Sequence, residues 1–203
     1  ILGDLRPRAG HVRLGGEPGP RSAAEGWARG IAYVPRERRR EGLMLGRGIA
    51  PNVVLPHLAR LSRLGIWSRA GAERAEAEAR GRQVRLKYDR LGQSVATLSG
   101  GNQQKVVFAR AVAGTPRLAL LDEPTRGVDV GARADIYGMI RRLGSAGTSV
   151  VMASSDLPEL LGMCDRIVIL SGGRQAGILP TAGLSPAQLL SMIYGDRAVE
   201  AVA

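Results

Sequence analysis

The chain predicts an α/β fold, a parallel sheet carrying helices on its faces. Short apolar runs without polar alternation, Ile31 to Val34 and Leu118 to Leu121, have the length and character of strands buried on both faces. Between and after them, Ile136, Met139, Ile140 and Leu143 recur at helical spacing, as do Val106, Ala109, Val112 and Ala113. Strand-like and helix-like segments therefore alternate along the second half of the chain, which is the pattern of helices packed on a sheet.

Taken in order, His11 to Leu14 alternates as a short strand, and the Gly15-Gly16 and Pro18-Gly19-Pro20 steps close a turn. Ser22 is placed to cap a helix running to Trp27, and Pro35 ends the strand Ile31 to Val34. An arginine-heavy connection, Arg36 to Gly42, follows. From Asn52 to about Arg90 the pattern is helical, with the alanine-rich stretch Ala70 to Arg80 its most exposed part. A helix follows Gly101 and is stopped by Gly114-Thr115-Pro116, then Leu118 to Leu121 forms a strand. The amphipathic helix through Ile136 is expected to end at Gly144. Thr148 to Ala153 is the next strand, and Leu157 to Met163 the next helix, with Pro158 tolerated in its first turn. Arg166 to Leu170 and Arg174 to Leu179 form a hairpin across Ser171-Gly172-Gly173, and a last helix begins at Ser185-Pro186.

At 203 residues the chain can bury one good core. We expect one domain over 1–203, with a core built from 1–50 and 115–203 and a helical subdomain over about 51–114. No apolar run approaches the ~20 residues that cross a bilayer, so any membrane role is peripheral. Cys164 is the single cysteine, which excludes a disulfide framework and fits a reducing compartment. The formal charge is +11, and Lys87 and Lys105 are the only lysines, so arginine carries it. Aromatic residues make up 3%, too few for the stacking platforms of a nucleic-acid surface. A solvated arginine-rich surface, an acidic lipid face and an acidic partner all fit the charge. His11 and His57 read as separate surface or interface histidines rather than a metal pair, and Cys164 as a packing residue in a helix.

The chemistry concentrates in two stretches. Leu98-Ser99-Gly100-Gly101-Asn102-Gln103-Gln104-Lys105 opens a helix with a hydroxyl and two glycines. Glycines let a backbone approach phosphate, and a helix N-terminus offers free N–H groups and a positive dipole end. A bare Ser-Gly-Gly reads equally well as an N-cap. Further on, the apolar strand ends in Asp122-Glu123-Pro124-Thr125-Arg126-Gly127-Val128-Asp129. An aspartate at a strand end can hold Mg²⁺, and the next carboxylate can polarise an attacking water.

These two stretches closely resemble ABC-type ATPases, and the LSGGNQQK form resembles the ATP-binding subunits of bacterial monosaccharide importers. The run from Asp122 through Gly131 is similar to the second, C-terminal ATPase half of such tandem subunits. The resemblance implies an ABC-type P-loop NTPase domain, with a RecA-like parallel-sheet core and a helical subdomain, binding ATP and Mg²⁺. It implies that Asp122 serves the metal through water, that Glu123 is catalytic, and that Asp129 lies in a D-loop at a dimer interface. It further implies that Leu98, Ser99, Gly100, Gly101 and Gln103 meet the γ-phosphate of an ATP held on the opposite half.

Three departures qualify that reading. Arg36 stands at the Q-loop position and cannot accept a bond from a metal-bound water. Ser155 stands where most members of the family carry a histidine, though second halves of the sugar importers resemble this chain there. No Gly-x-x-x-x-Gly-Lys-Ser/Thr cradle occurs, so there is no Walker A residue; Ile1 is not a natural start, and by the family's order the cradle would lie just before it, making this an N-terminally truncated domain. The implied partners are an N-terminal ATPase half or second ATP-binding subunit, a membrane permease dimer and a periplasmic or lipoprotein sugar-binding protein, with no nucleic acid, at the cytoplasmic face of the membrane. Two alternatives stay open: a non-catalytic half that only supplies LSGG to a partner ATPase, and a soluble ABC ATPase acting on ribosomes or DNA.

Overall fold

In the computed structural model of the chain, residues 1–63, 67–68, 70–114 and 116–194 are described. They divide into two compact units, Ile1–Val151 and Met152–Ala203. In the larger unit, Arg13–Leu14 (β1) and Glu17–Pro18 (β2) pair antiparallel, and Ser22 caps α1, Ala23–Ala28, by accepting from the Glu25 amide. Strand β3, Ile31–Val34, follows. The arginine-heavy connection closes into one wide helical turn, Arg38–Gly42. Helices α2 (Ile49–Val54) and α3 (Leu58–Leu61), the short antiparallel pair β4 (Ser62–Arg63) and β5 (Trp67–Ser68), and α4 (Ala70–Gln83) then lead to α5, Gly100–Val112. Strand β6 is Leu118–Asp122 and α6 is Val130–Ser145, and β7, Ser149–Ala153, begins in this unit and ends in the next. The sheet order is β3-β6-β7, and β3 lies parallel to β6 with Ile31 opposite Leu118 and Val34 opposite Leu121. The buried side chains of β3, β6, α5 and α6 form its core, Phe108 being the largest of those fully enclosed.

The smaller unit holds α7 (Leu157–Met163), the hairpin β8 (Arg166–Ser171) and β9 (Arg174–Pro180), and α8 (Pro186–Tyr194). Gly172 and Gly173 both take positive φ, at 55° and 76°, as a two-residue turn matching the strand twist requires. Ile167, Ile169 and Leu189 make its core, with Leu157, Leu160, Cys164 and Ile193 packed around them.

Several expectations need correction. The helical stretch does not run to Arg90: α4 stops at Gln83 because Arg85 turns left-handed (φ 51°) and the Leu86 amide returns to the Gly81 carbonyl at 2.9 Å. That is a Schellman end with arginine in the place glycine usually takes. The same stretch includes the β4–β5 pair as well as helices. Helix α6 passes Gly144, and Gly147 (φ 89°) ends it, with the Thr148 amide bonded to the Leu143 carbonyl. Helix α5 begins one residue early, at Gly100, so both glycines sit in its first turn; of its expected stop, Thr115 lies outside the described residues. Cys164 lies just past α7 in extended backbone, half-buried in the small core. Only His11 is a surface histidine; the His57 ring meets Trp27 edge-on at 5.6 Å, and its Nε2 lies 3.2 Å from the Arg110 carbonyl.

Two polar knots, one fully and one partly buried, tie α5 to α2 and to α6. Asn52, fully enclosed, accepts from the Met44 amide and donates to the Met44 and Gly48 carbonyls, while Arg110 Nε donates to its backbone carbonyl at 2.8 Å. Burial with only neutral acceptors pulls the Arg110 guanidinium down to about 10. Lys105, buried on α5, donates to Asp135 Oδ2 on α6 at 2.7 Å and to the Arg85 carbonyl at 3.1 Å. The hydrogen bond from Lys105 holds the Asp135 carboxyl below its ordinary 3.8, outweighing partial burial, with the charges of Lys105, Arg85 and Lys87 adding to it. A lowered folded value makes this pair stabilising above the unfolded value, with the gain lost as pH falls through the folded one. Asp135→Asn should cost about 1–3 kcal/mol at pH 7 in denaturant unfolding, and its gap from the parent chain should close as the pH is taken below 3.8.

Candidate functional site

Because Val34 and Leu121 are register partners, β3 and β6 end at the same level, and the residues that follow them emerge side by side. Ligand sites in parallel sheets form at such strand ends. From β6 come Asp122, half-buried, and then Glu123, whose φ of 48° is one of two positive values among the described non-glycine residues. A turn follows, the Arg126 amide bonding the Glu123 carbonyl at 3.1 Å and the Val128 amide the Thr125 carbonyl at 3.2 Å. Glutamate gains nothing locally from left-handed backbone, which costs about 1–2 kcal/mol, so surrounding contacts must hold it.

Those contacts come from β3's continuation and from α5. Arg38 donates from Nη1 to the Arg126 carbonyl at 2.7 Å and from Nη2 to the Gly127 carbonyl at 3.0 Å. Arg126 Nη1 in turn meets Glu37 Oε1 at 2.6 Å. From α5, Gln104 Nε2 donates to the Pro124 carbonyl at 2.7 Å. Hydrogen bonds from a charged donor are each worth about 1.5–3 kcal/mol, whereas the solvent-exposed Glu37–Arg126 pair adds at most about 1. Burial first, and the like charge of Arg39 second, lower the Arg38 guanidinium from its usual value, with Glu37 acting the other way.

The LSGG stretch, residues 98–101, is the signature loop of the resemblance, and it sits against this turn. Ser99 caps α5, its Oγ accepting from the Asn102 amide at 3.4 Å and from Asn102 Nδ2 at 3.1 Å. Both bonds use the oxygen as acceptor and leave the O–H as a donor. The glycines are needed underneath the loop as well as on top of it. A methyl on Gly100 would lie 2.9 Å from Arg38 Nη2 and 3.3 Å from the Gly127 carbonyl, and one on Gly101 only 2.6 Å from the Ala132 Cβ. Asp129 caps α6 through Oδ1, 2.9 Å from the Ala132 amide, and its Oδ2 would lie 3.3 Å from a Gly101 methyl. Gly100, Gly101 and Asp129 are thus brought together.

Other predicted residues fall elsewhere. Leu98 is buried, and Gln103, 1% exposed, turns its amide inward to the Val95 and Leu98 carbonyls at 3.2 Å each. Arg36 is exposed, directly after the buried Pro35. Ser155 belongs to the smaller unit and is exposed; its neighbour Ser154 bonds the Glu159 carboxylate, and Asp156 caps α7. No sequence signal singles out Arg38, Gln104 or Tyr33 within their stretches. Burial, followed by the charge of Asp122 and more weakly of Glu41 and Asp4, raises the Tyr33 phenol, so the Asp122 charge is felt on β3. Nothing in a run of arginines distinguishes the one that turns inward.

For a metal, the donors present are few. Among the described residues no group of three His, Cys, Asp or Glu side chains could cage an ion. Asp122 at a strand end fits Mg²⁺, which keeps most of its waters and takes one or two carboxylates beside phosphate oxygens.

A family model described as ABC transporter matches residues 1–126. The chain belongs to the ABC transporter family. It is 44% identical over 201 residues to the ribose import ATP-binding protein RbsA of Chromobacterium violaceum, a match covering 96% of this chain and 39% of that protein. A protein of the same name from Corynebacterium glutamicum is 44% identical over 163 residues, 80% of this chain and 31% of the relative. The chain thus spans about two-fifths of the length of the first of these. Its fold is similar to that of a dimeric ATP-binding cassette in a post-hydrolysis state bound to ADP and Pi, with a TM-score of 0.74 at 23% identity over 91% of this chain and 78% of that one. It is also similar to cbiO1 of Clostridium perfringens, with a TM-score of 0.69 at 16% identity over 98% of this chain and 73% of that one.

Two stability measurements check the geometry. Gly101→Ala should destabilise by about 1–3 kcal/mol through the clash with Ala132, and Ala132→Gly in the same chain should recover most of it. Glu123→Gly should be about 1 kcal/mol more stable than Glu123→Ala, since both lose the side chain and only glycine takes the left-handed backbone without strain.

Proposed function

We propose that this chain belongs to the C-terminal ATPase half of a monosaccharide importer's ATP-binding subunit. The observation that carries the reading is the clustering at the carboxyl ends of β3 and β6: Asp122 ends β6, Glu123 follows it, and the turn after them packs against the LSGG loop. The relatives named for ribose import support a pentose or hexose as cargo. Asp122 would hold Mg²⁺, which when bound neutralises charge on the phosphates. Glu123 would orient and polarise the attacking water. The Ser99 hydroxyl and the first-turn amides of Gly100 and Gly101, which have no intrahelical acceptor, would receive the γ-phosphate of an ATP held on a facing half. Leu98 and Gln103 would support that loop from beneath, and Asp129 would line the junction between halves.

The sequence holds no Gly-rich lysine loop, so the β- and γ-phosphates must be cradled by other residues. An N-terminal half or second subunit completes the paired sites in this reading, and a permease dimer with an external sugar-binding protein completes the importer. Among the described residues no helix is long and apolar enough to cross a membrane, which suits a subunit docked on the cytoplasmic face. The exposed Arg36 and Ser155 favour one second reading, in which this half gives its LSGG to a partner and hydrolyses little itself.

The chain alone should show no saturable Mg-ATP binding up to about millimolar nucleotide in a fluorescent-analogue titration, because the cradle supplies most phosphate contacts. Preceded by the cradle-bearing segment of an RbsA relative, it should hydrolyse ATP, and Glu123→Gln should cut the rate about 10²–10⁴-fold without weakening nucleotide binding. Binding without hydrolysis in the restored protein would instead favour the LSGG-donor reading.

A further inference from the structure

We propose that Arg38 is a positioning residue that locks the turn after Glu123 onto the signature loop, so that the catalytic carboxylate and LSGG are set by one side chain. The inference rests on the functional reading above. Its ground is the place of the guanidinium. The two terminal nitrogens span successive carbonyls, Arg126 and Gly127, at 2.7 and 3.0 Å. Nη2 also occupies the space where a side chain on Gly100 would begin, 2.9 Å from the would-be Cβ. Gly127 lies at φ 64° and Glu123 at φ 48°, so both ends of the fastened turn are left-handed.

A planar, forked donor suits two neighbouring carbonyls in a way that a single ammonium does not. The reach depends on β3 and β6 ending in register, which brings Arg38 beside the turn from 88 residues away in sequence. Because Arg38 follows Arg36 and Glu37 on the same short connection, displacement of that connection would be felt at Gly100 and at the Glu123 turn together. Arg38 need not touch nucleotide for this.

The test has two readouts. In the 203-residue chain, Arg38→Met should speed hydrogen exchange at the Arg126 and Val128 amides more than about tenfold, while Leu120 and Ile140 in the core stay within about twofold. Arg38→Lys should fall between, since one carbonyl can still be served. Gly100→Ala, which pushes on the guanidinium from the other side, should give the same exchange pattern and serves if Arg38→Met does not fold. In the assembled importer subunit, Arg38→Met should lower kcat about 10- to 100-fold, as expected for a misplaced reacting group, and leave the KM for ATP within about twofold. Unchanged exchange at Arg126 and Val128 would overturn the lock itself. Faster exchange with an unchanged kcat would overturn its role in turnover. An unmutated assembly that hydrolyses nothing would sink the functional reading and the kinetic half of this proposal, while the exchange data would still decide the lock.

Discussion

The parallel pairing of Ile31–Val34 with Leu118–Leu121 is the constraint on which the larger unit depends. The two strands are separated in sequence by α2 to α5, so their pairing must be held by burial rather than by a local turn. Its register also places the residues of the proposed site. A slip of one residue would turn every side chain of β6 to the opposite face, Asp122 included. With Val34 opposite Leu121, the connection after β3 and the turn after β6 leave the sheet at one level, and Arg38 can reach the carbonyls beyond Glu123. The strained backbone at Glu123 is affordable only because both neighbours, α5 and the arginine turn, grip the residues behind it.

The glycines of the signature loop acquire a second explanation from this arrangement. In the proposed reading phosphate approach asks for an uncluttered outer surface, and packing asks for an uncluttered inner one. Gly100 rests on Arg38 and the Gly127 carbonyl, and Gly101 on Ala132 at the start of α6. A residue type that would be chosen for ligand access is therefore also imposed by how closely α5 and α6 approach.

Much of this could be seen in the sequence, and the reasons are local. Ile31 to Val34, Leu118 to Leu121 and the hairpin around Gly172-Gly173 declare themselves by unbroken apolarity and turn glycines. Ser22 and Ser99 both cap as their hydroxyls suggest. Helix ends were harder. Gly144 looked like a stop, but the left-handed position falls three residues on, at Gly147; at α4 the same role falls to Arg85, which no propensity would nominate. Arg38 was invisible for another reason. Its role depends on a partner strand far along the chain, and its neighbours Arg39 and Arg40 have the same composition but stay exposed.

Cys164 offers a practical consequence. Burial first, then the nearby charges of Asp165 and Glu159, push its thiol above the ordinary value, so little of it is thiolate at neutral pH. Thiolate is the reactive form. The one native thiol, tucked among Leu157, Leu160 and their neighbours, is therefore a dark background. A cysteine placed on an exposed surface of this chain would take a maleimide dye well before Cys164 did, which makes fluorescence distance measurements feasible without first removing the native residue.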